Sequence, residues 1–171
     1  RIVLSSAHPR VPGCATAEGT QTFLEKKQFG GRRSLLGCSG LSISPVGFGC
    51  HRLDDFSDQR SALEVAIKVG CNLIDVAPNY SDGGAERAVG AVLQKLFAEG
   101  QARRNEIVVV GKVGNITGSS LRSDSVSLSK NIARVRDNAW HCIDPTWIEI
   151  ELSGSLDRLG LQCIDVLLLH C

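Results

Sequence analysis

From residue 33 onward the chain alternates two kinds of segment, and this alternation restricts the fold more than any single motif. "NLIDV" (72–76), "EIVVVGK" (106–112) and "CIDVLLLH" (163–170) are short runs, apolar on both faces. Between them lie apolar residues at helical spacing: Leu63, Ala66 and Ile67 within 57–69, then Ala85, Ala88, Val89, Val92, Leu93, Leu96 and Phe97 within 84–98. A third stripe, Ile148, Leu152, Leu156 and Leu159, follows Asp144-Pro145, an N-cap carboxylate with proline at the first helical position, and stops at Gly160. Strands apolar on both sides must be covered on both sides, so the order predicts a parallel sheet clad in helices. Ahead of it, "RSLLGCSGLSIS" reads as a hairpin turning at Ser39-Gly40, and "PVGFG" (45–49) as a small buried strand. An open doubly wound sheet and a closed (β/α)8 barrel both fit this order. A barrel takes roughly 250 residues, so 171 residues would hold about its first four βα units behind an N-terminal hairpin.

Two stretches stand outside the pattern. Residues 1–30 read as a leader, disordered or transit-like, because Arg1 and Arg10 are present and no acid precedes Glu18; the barrel part is then 31–171. The chain starts on Arg1 and stops on Cys171 directly behind an apolar run, so it reads as part of a longer protein. Residues 115–143 are too long and polar for an ordinary connection. A short helix over 126–136 is expected there, on the face where a barrel binds ligands.

Charge and cysteines exclude several classes. Nineteen basic and eighteen acidic side chains leave a net charge of +1, which gives no reason to expect a nucleic-acid or membrane partner. No apolar run approaches the roughly 20 residues of a membrane span. Seven cysteines without a Cys-x-x-Cys pair suggest reduced thiols in the cytoplasm, or in an organelle if residues 1–30 are a transit peptide. His141-Cys142 has no second pair at ligand spacing, so no metal site is expected. "GKVG" is not a phosphate loop: Glu106 takes the first glycine position and no Ser or Thr follows Lys112. A G-x-G-x-x-G fingerprint is also absent.

Three successive strands end on an ionisable residue, Asp75, Lys112 and His170, and the chain's one tyrosine, Tyr80, follows the first of them. A lone lysine or histidine at a strand end is ordinarily a solvated or rim residue. Three at the same end of parallel strands are harder to dismiss, because barrel chemistry gathers at the carboxyl ends of strands. The four types also cooperate. A phenol with a reference pKa of about 10 is a poor acid until a neighbouring ammonium favours its anion. A carboxylate holds that ammonium, and an imidazole donates to a carbonyl oxygen gaining charge. Such a set moves protons and requires a separate hydride donor.

"LGCSGLSISPVGFG", "LIDVAPNYSDGGAERAVG", "VVVGKVG" and "SLDRLGLQCIDVLLLH", in this order, resemble successive motifs of the aldo/keto reductases from about residue 33 onward. The resemblance implies a (β/α)8 barrel that reduces aldehydes and ketones, or oxidises alcohols, with NADP(H) or NAD(H). It implies Tyr80 as proton donor, Lys112 and Asp75 as its tuning pair and His170 as the group orienting the carbonyl. The segment Gly49–Leu53, with Gly49, Cys50 and His51, and Asp75 would touch the nicotinamide side, while the cofactor phosphates would be held by later strands. Glu86 and Gly90 would be structural. "PNYSDGGAER" and "HCIDP" look closest to members acting on sugars or related lactols and aldehydes. Two positions depart from the family pattern: Gly111 replaces the Ser or Thr before the lysine, which would loosen the lysine's packing, and Val76 replaces a small polar residue. The alternatives are a non-catalytic binding or regulatory protein on the same fold and an inactive fragment.

Overall fold

In the computed structural model, residues 9–27, 33–54, 57–127 and 129–170 are described. In chain order they form α1 (Ala17–Lys26), β1 (Ser34–Leu35), β2 (Ser42–Ile43), β3 (Phe48–Gly49), α2 (Ser57–Val69), β4 (Leu73–Asp75), α3 (Gly84–Ala98), β5 (Val108–Val113), β6 (Asn115–Thr117), α4 (Asp124–Ser127), β7 (Ala133–Arg136), β8 (Ala139–His141), α5 (Pro145–Leu159) and β9 (Val166–Leu169). Strands β3, β4, β5 and β9 pair in that order, every pair parallel. The strand order never reverses, and α3 packs against α2 on one side and α5 on the other. Doubly wound sheets reverse their order at a switch point. A sheet that keeps sequence order under consecutive helices is the wall of a (β/α)8 barrel, here its first four βα units.

The pleat sorts the side chains. Ile74, Val76 and Val109 enter a core with Leu63 and Ile67 of α2, Val89 and Leu93 of α3 and Leu159 of α5. Residues at the alternate positions, Leu73, Asp75, Val110, Lys112 and Leu168, take the opposite face. That face is the interior of a barrel. Strand β3 is an edge strand of two residues, with Pro45 to Gly47 exposed, rather than the buried strand expected over 45–49. The β1–β2 hairpin sits at the amino end of β4, fastened by the buried Asn72. Its side chain accepts from Ser44 N (2.8 Å) and donates to the carbonyls of Ser42 (3.0 Å) and Glu106 (3.3 Å).

Three expectations need correction. Residues 17–26, placed in a leader, form α1. Thr16 caps it by accepting from Gly19 N (3.0 Å), and Phe23 and Leu24 enter the main core. The apolar pair about two turns into this helix outweighs the basic, serine-rich composition before it. The helix expected over 126–136 is instead α4 followed by the β7–β8 hairpin, which pairs with β6 as a three-stranded antiparallel sheet. The sequence carries the signal: "ARVR" and "AWH" flank the turn residues Asp137-Asn138. Ile116 of that sheet packs with Val126, Cys142 and Trp147 in a second core, against which Trp140 also rests. Finally, α5 buries Trp147, Glu151, Ser155 and Leu159 most deeply, one position off the expected stripe at Ile148, Leu152 and Leu156. Polar partners across the helix interface draw that face inward. Among the described residues no helix is long and apolar enough to cross a membrane.

Candidate active site

Register brings the strand-end residues together. Asp75 lies opposite Gly49 and Val110, Val110 opposite Val166, and Lys112 opposite Leu168. Lys112 therefore stands one side-chain layer beyond Asp75, and His170 continues the same row, its N–H bonded to Val113 O (2.8 Å). Tyr80 returns over this row because the chain turns sharply after β4: Tyr80 N donates to Ala77 O (3.1 Å), and Ser81 and Asp82 both take left-handed backbone angles, φ 50° and 51°. Left-handed conformation at two consecutive non-glycine residues is uncommon and marks backbone held by its surroundings.

The Lys112 ammonium is the hub. It lies 2.7 Å from Asp75 Oδ1 and 2.8 Å from Oδ2, and donates to the Tyr80 hydroxyl at 2.9 Å. Partial burial works against the charged lysine, but the bonds to Asp75 and Tyr80, with their charges, hold its pKa above the ordinary range. The Tyr80 ring meets His170 edge-on, centroids 5.8 Å apart, and His51 on another side at 5.0 Å. Burial and then the Lys112 charge push the His170 imidazole below its usual pKa, which favours the neutral ring.

The residues expected to bring in a cofactor divide. Gly49 and His51 are exposed beside the cluster, and among the described residues none occupies the space a Cβ on Gly49 would take. Cys50 is fully buried and its thiol is pushed up to about 12, first by burial and then by the Asp75 carboxylate. Its side chain contacts the Phe48 carbonyl (3.9 Å) instead of the open side, and its backbone N donates to Asp75 O (2.9 Å). Gly111 does not loosen the lysine. It faces the helices, where a Cβ would come within 2.9 Å of Ile164, so Ile164 fills the space that a larger residue would take. Val76 is buried in the main core. Glu86, also buried, pairs with Arg158 across α3 and α5 (2.5 Å). A Cβ on Gly90 would come within 2.6 Å of the Leu159 carbonyl, so glycine sets the closeness of those helices.

Three residues that sequence reasoning missed frame the cluster. Asp82 Oδ1 accepts from Ser119 N (3.1 Å) and Ser119 Oγ (2.9 Å), fastening the excursion after β5 to the Tyr80 turn. His141 Nε2 meets the His170 carbonyl at 2.7 Å, fastening its far end. Glu151 accepts from Gly114 N (2.9 Å), two residues beyond Lys112, and from the Trp147 indole (3.1 Å). Only His141 carried a signal, a His-Cys pair without metal spacing; the contacts of Asp82 with Ser119 and of Glu151 with Gly114 join residues remote in sequence.

The family model described as "Aldo/keto reductase family" matches residues 45–171. The chain is 36% identical over 132 residues to the NADPH-dependent D-xylose reductase of Candida boidinii, covering 77% of this chain and 32% of that one. It is 33% identical over 142 residues to the uncharacterized oxidoreductase YqkF of Bacillus subtilis, covering 81% and 39%. An aldo-keto reductase from Bacillus halodurans, solved in its holo form, superposes with a TM-score of 0.63 at 27% identity, over 81% of this chain and 40% of that one. The chain thus spans about two-fifths or less of the length of these relatives. Matched over most of its length by the family pattern and sharing the relatives' barrel wall, the chain belongs to the aldo/keto reductase family.

Proposed function

We propose that the protein serves carbonyl reduction, or the reverse oxidation of sugar-type alcohols and lactols, with Tyr80 as the proton donor and NADP(H) or NAD(H) as redox partner. The observation that carries this reading is the Lys112 ammonium set between the Asp75 carboxylate and the Tyr80 hydroxyl. The donor set fits a nicotinamide: each of the four groups moves a proton or stabilises charge, and none supplies electrons. Gly49, His51 and Asp75 are the residues of this chain that would border it. A reduced nicotinamide, when bound, supplies the hydride.

The chain's own groups handle the proton. Tyr80 Oη accepts from Lys112, so its own hydrogen is left to point at a substrate oxygen. As negative charge grows on that oxygen, the proton passes from Tyr80 Oη to it, and the ammonium stabilises the phenolate left behind. Asp75 keeps the ammonium in place. Neutral His170 offers an N–H to the same oxygen and orients the carbonyl.

The similarity to a xylose reductase supports sugar aldehydes as the first substrates to test. Tyr80→Phe keeps the ring and removes the proton. Its carbonyl reduction, followed by oxidation of the reduced nicotinamide, is expected to fall by about 10²–10⁴-fold, with cofactor affinity unchanged. Activity retained in Tyr80→Phe would overturn the role given to Tyr80.

A further inference from the structure

The chain ahead of α1 runs beside the approach to β9. Val11 N donates to Gly160 O (2.8 Å), Gln162 N donates to Val11 O (3.0 Å), and Val11 and Leu161 form a parallel bridge. Further along, Ala15 N donates to the Asp165 carboxylate (2.7 Å). Residues 11–15 and 161–165 are thus pinned together at both ends, and each carries one cysteine between the pins, Cys14 and Cys163. The two are one residue out of register. Bridged parallel backbones lie about 4.8 Å apart, within the Cα separation of roughly 4.4–6.8 Å that a disulfide needs. Cys14 is also among the groups that raise the Cys163 thiol, after burial and the Asp165 carboxylate. Cys14 is exposed and Cys163 half-buried, whereas Cys50, Cys71 and Cys142 are buried.

We propose that Cys14 and Cys163 form a redox-modification site, closed to a disulfide by a peroxide and reopened by a dithiol. Cys14 reacts first, because it is the exposed member. Its sulfur attacks the peroxide O–O bond, which breaks, releasing one water and leaving a sulfenic acid on Cys14. The Cys163 sulfur then attacks the Cys14 sulfur: the S–S bond forms, the S–O bond breaks, and the hydroxide leaves with the Cys163 proton as a second water. Two thiols lose two electrons and two protons, and hydrogen peroxide is reduced to two waters. Cys163 suits the resolving role, since burial, then the Asp165 carboxylate, disfavour its thiolate and protect it from direct oxidation.

The bond would fix the base of β9. Asp165 already accepts from Val109 N (2.7 Å) and Arg104 (2.9 Å), tying this corner to β5, and β9 leads to His170. It would also close a loop through most of the chain, which lowers the conformational entropy gained on unfolding.

The test treats the purified chain with stoichiometric hydrogen peroxide, alkylates the remaining thiols and maps the peptides. The expected product is a Cys14–Cys163 linked peptide, lost on treatment with dithiothreitol, with Tm raised by about 5–15 °C in the oxidised form. Cys163→Ser should give no link and leave a Cys14 sulfenic acid that dimedone traps; Cys38→Ser should leave the link intact. Matching reduced-state Tm values for the variants and the parent establish that all are folded. Linkage of Cys14 to another cysteine would overturn the proposal. So would equal dimedone trapping at Cys14 in the parent and in Cys163→Ser.

Discussion

At the scale of single residues, the site works because neighbours set charge states that the isolated side chains would not hold. His170 shows this most directly. Burial and the Lys112 ammonium both disfavour the imidazolium, and His141 and His51 add to them, while Asp75 opposes. The folded chain therefore binds less proton at this residue than the unfolded chain does near the ordinary histidine value of about 6.5. Stability from His170 is present above that value and is lost as pH falls through the lowered folded value. Imidazole NMR should place the His170 midpoint below 6.5 in the parent. In Lys112→Met the midpoint should move up, because the charge is gone while the burial stays; an unmoved midpoint would remove the Lys112 charge from its causes. The same substitution strands Tyr80 and Asp75 without their cation, so carbonyl reduction should fall a hundredfold or more. His170→Gln keeps an N–H and should retain more activity than His170→Ala. Equal rates for the two would remove the hydrogen-bond role.

At the scale of elements, what was legible in the sequence was whatever depended on local period and caps. The spans of α2 and α3, the Asp144 cap of α5 and the placing of Asp75, Lys112 and His170 at or within one residue of the carboxyl ends of β4, β5 and β9 all follow from spacing within a few residues. What was not legible depended on partners far along the chain. Asp82 gives no local sign that it will hold Ser119, nor Gly90 that a carbonyl of α5 will press on it. Both make testable contacts. Gly90→Ala places a methyl against backbone that has little room to yield, an overpacking worth about 1–3 kcal/mol. Tm should drop by about 3–10 °C. A smaller drop would mean that the α3–α5 crossing can widen. Asp82→Ala removes both acceptor contacts to Ser119 while keeping Tyr80 itself. Amide exchange at Ser119 should quicken severalfold, and cleavage within 114–143 by a protease should become faster. Unchanged exchange would show that the three-stranded sheet holds this segment without Asp82.

At the scale of the whole molecule, the barrel wall was readable because strand order and helix order are carried by the chain itself, whereas the polar interior of the helix layer was not. Glu151 sits one place from an apolar stripe and was passed over, yet it joins α5 to the turn behind Lys112. Burial pushes its carboxyl up to about 7, against the bonds from Gly114 and Trp147 and the pull of Arg158, with Glu86 adding to the rise. A carboxyl unfolds to an ordinary value of about 4.3, so the folded state here binds more proton than the unfolded one between the two values. The sign follows: Glu151 contributes fully below about 4.3, and that contribution is lost as pH rises through about 7. The loss is on the order of 3 kcal/mol by pH 8. Glu151→Gln keeps an oxygen for Gly114 N and the indole but cannot ionise. It should therefore match the parent near pH 4 and melt about 6–12 °C higher at pH 8, with a flatter Tm profile between. If Glu151→Gln follows the parent's decline across that range, the charge at Glu151 is solvated in the fold, and its contact with Gly114 adds nothing to the pH dependence of stability.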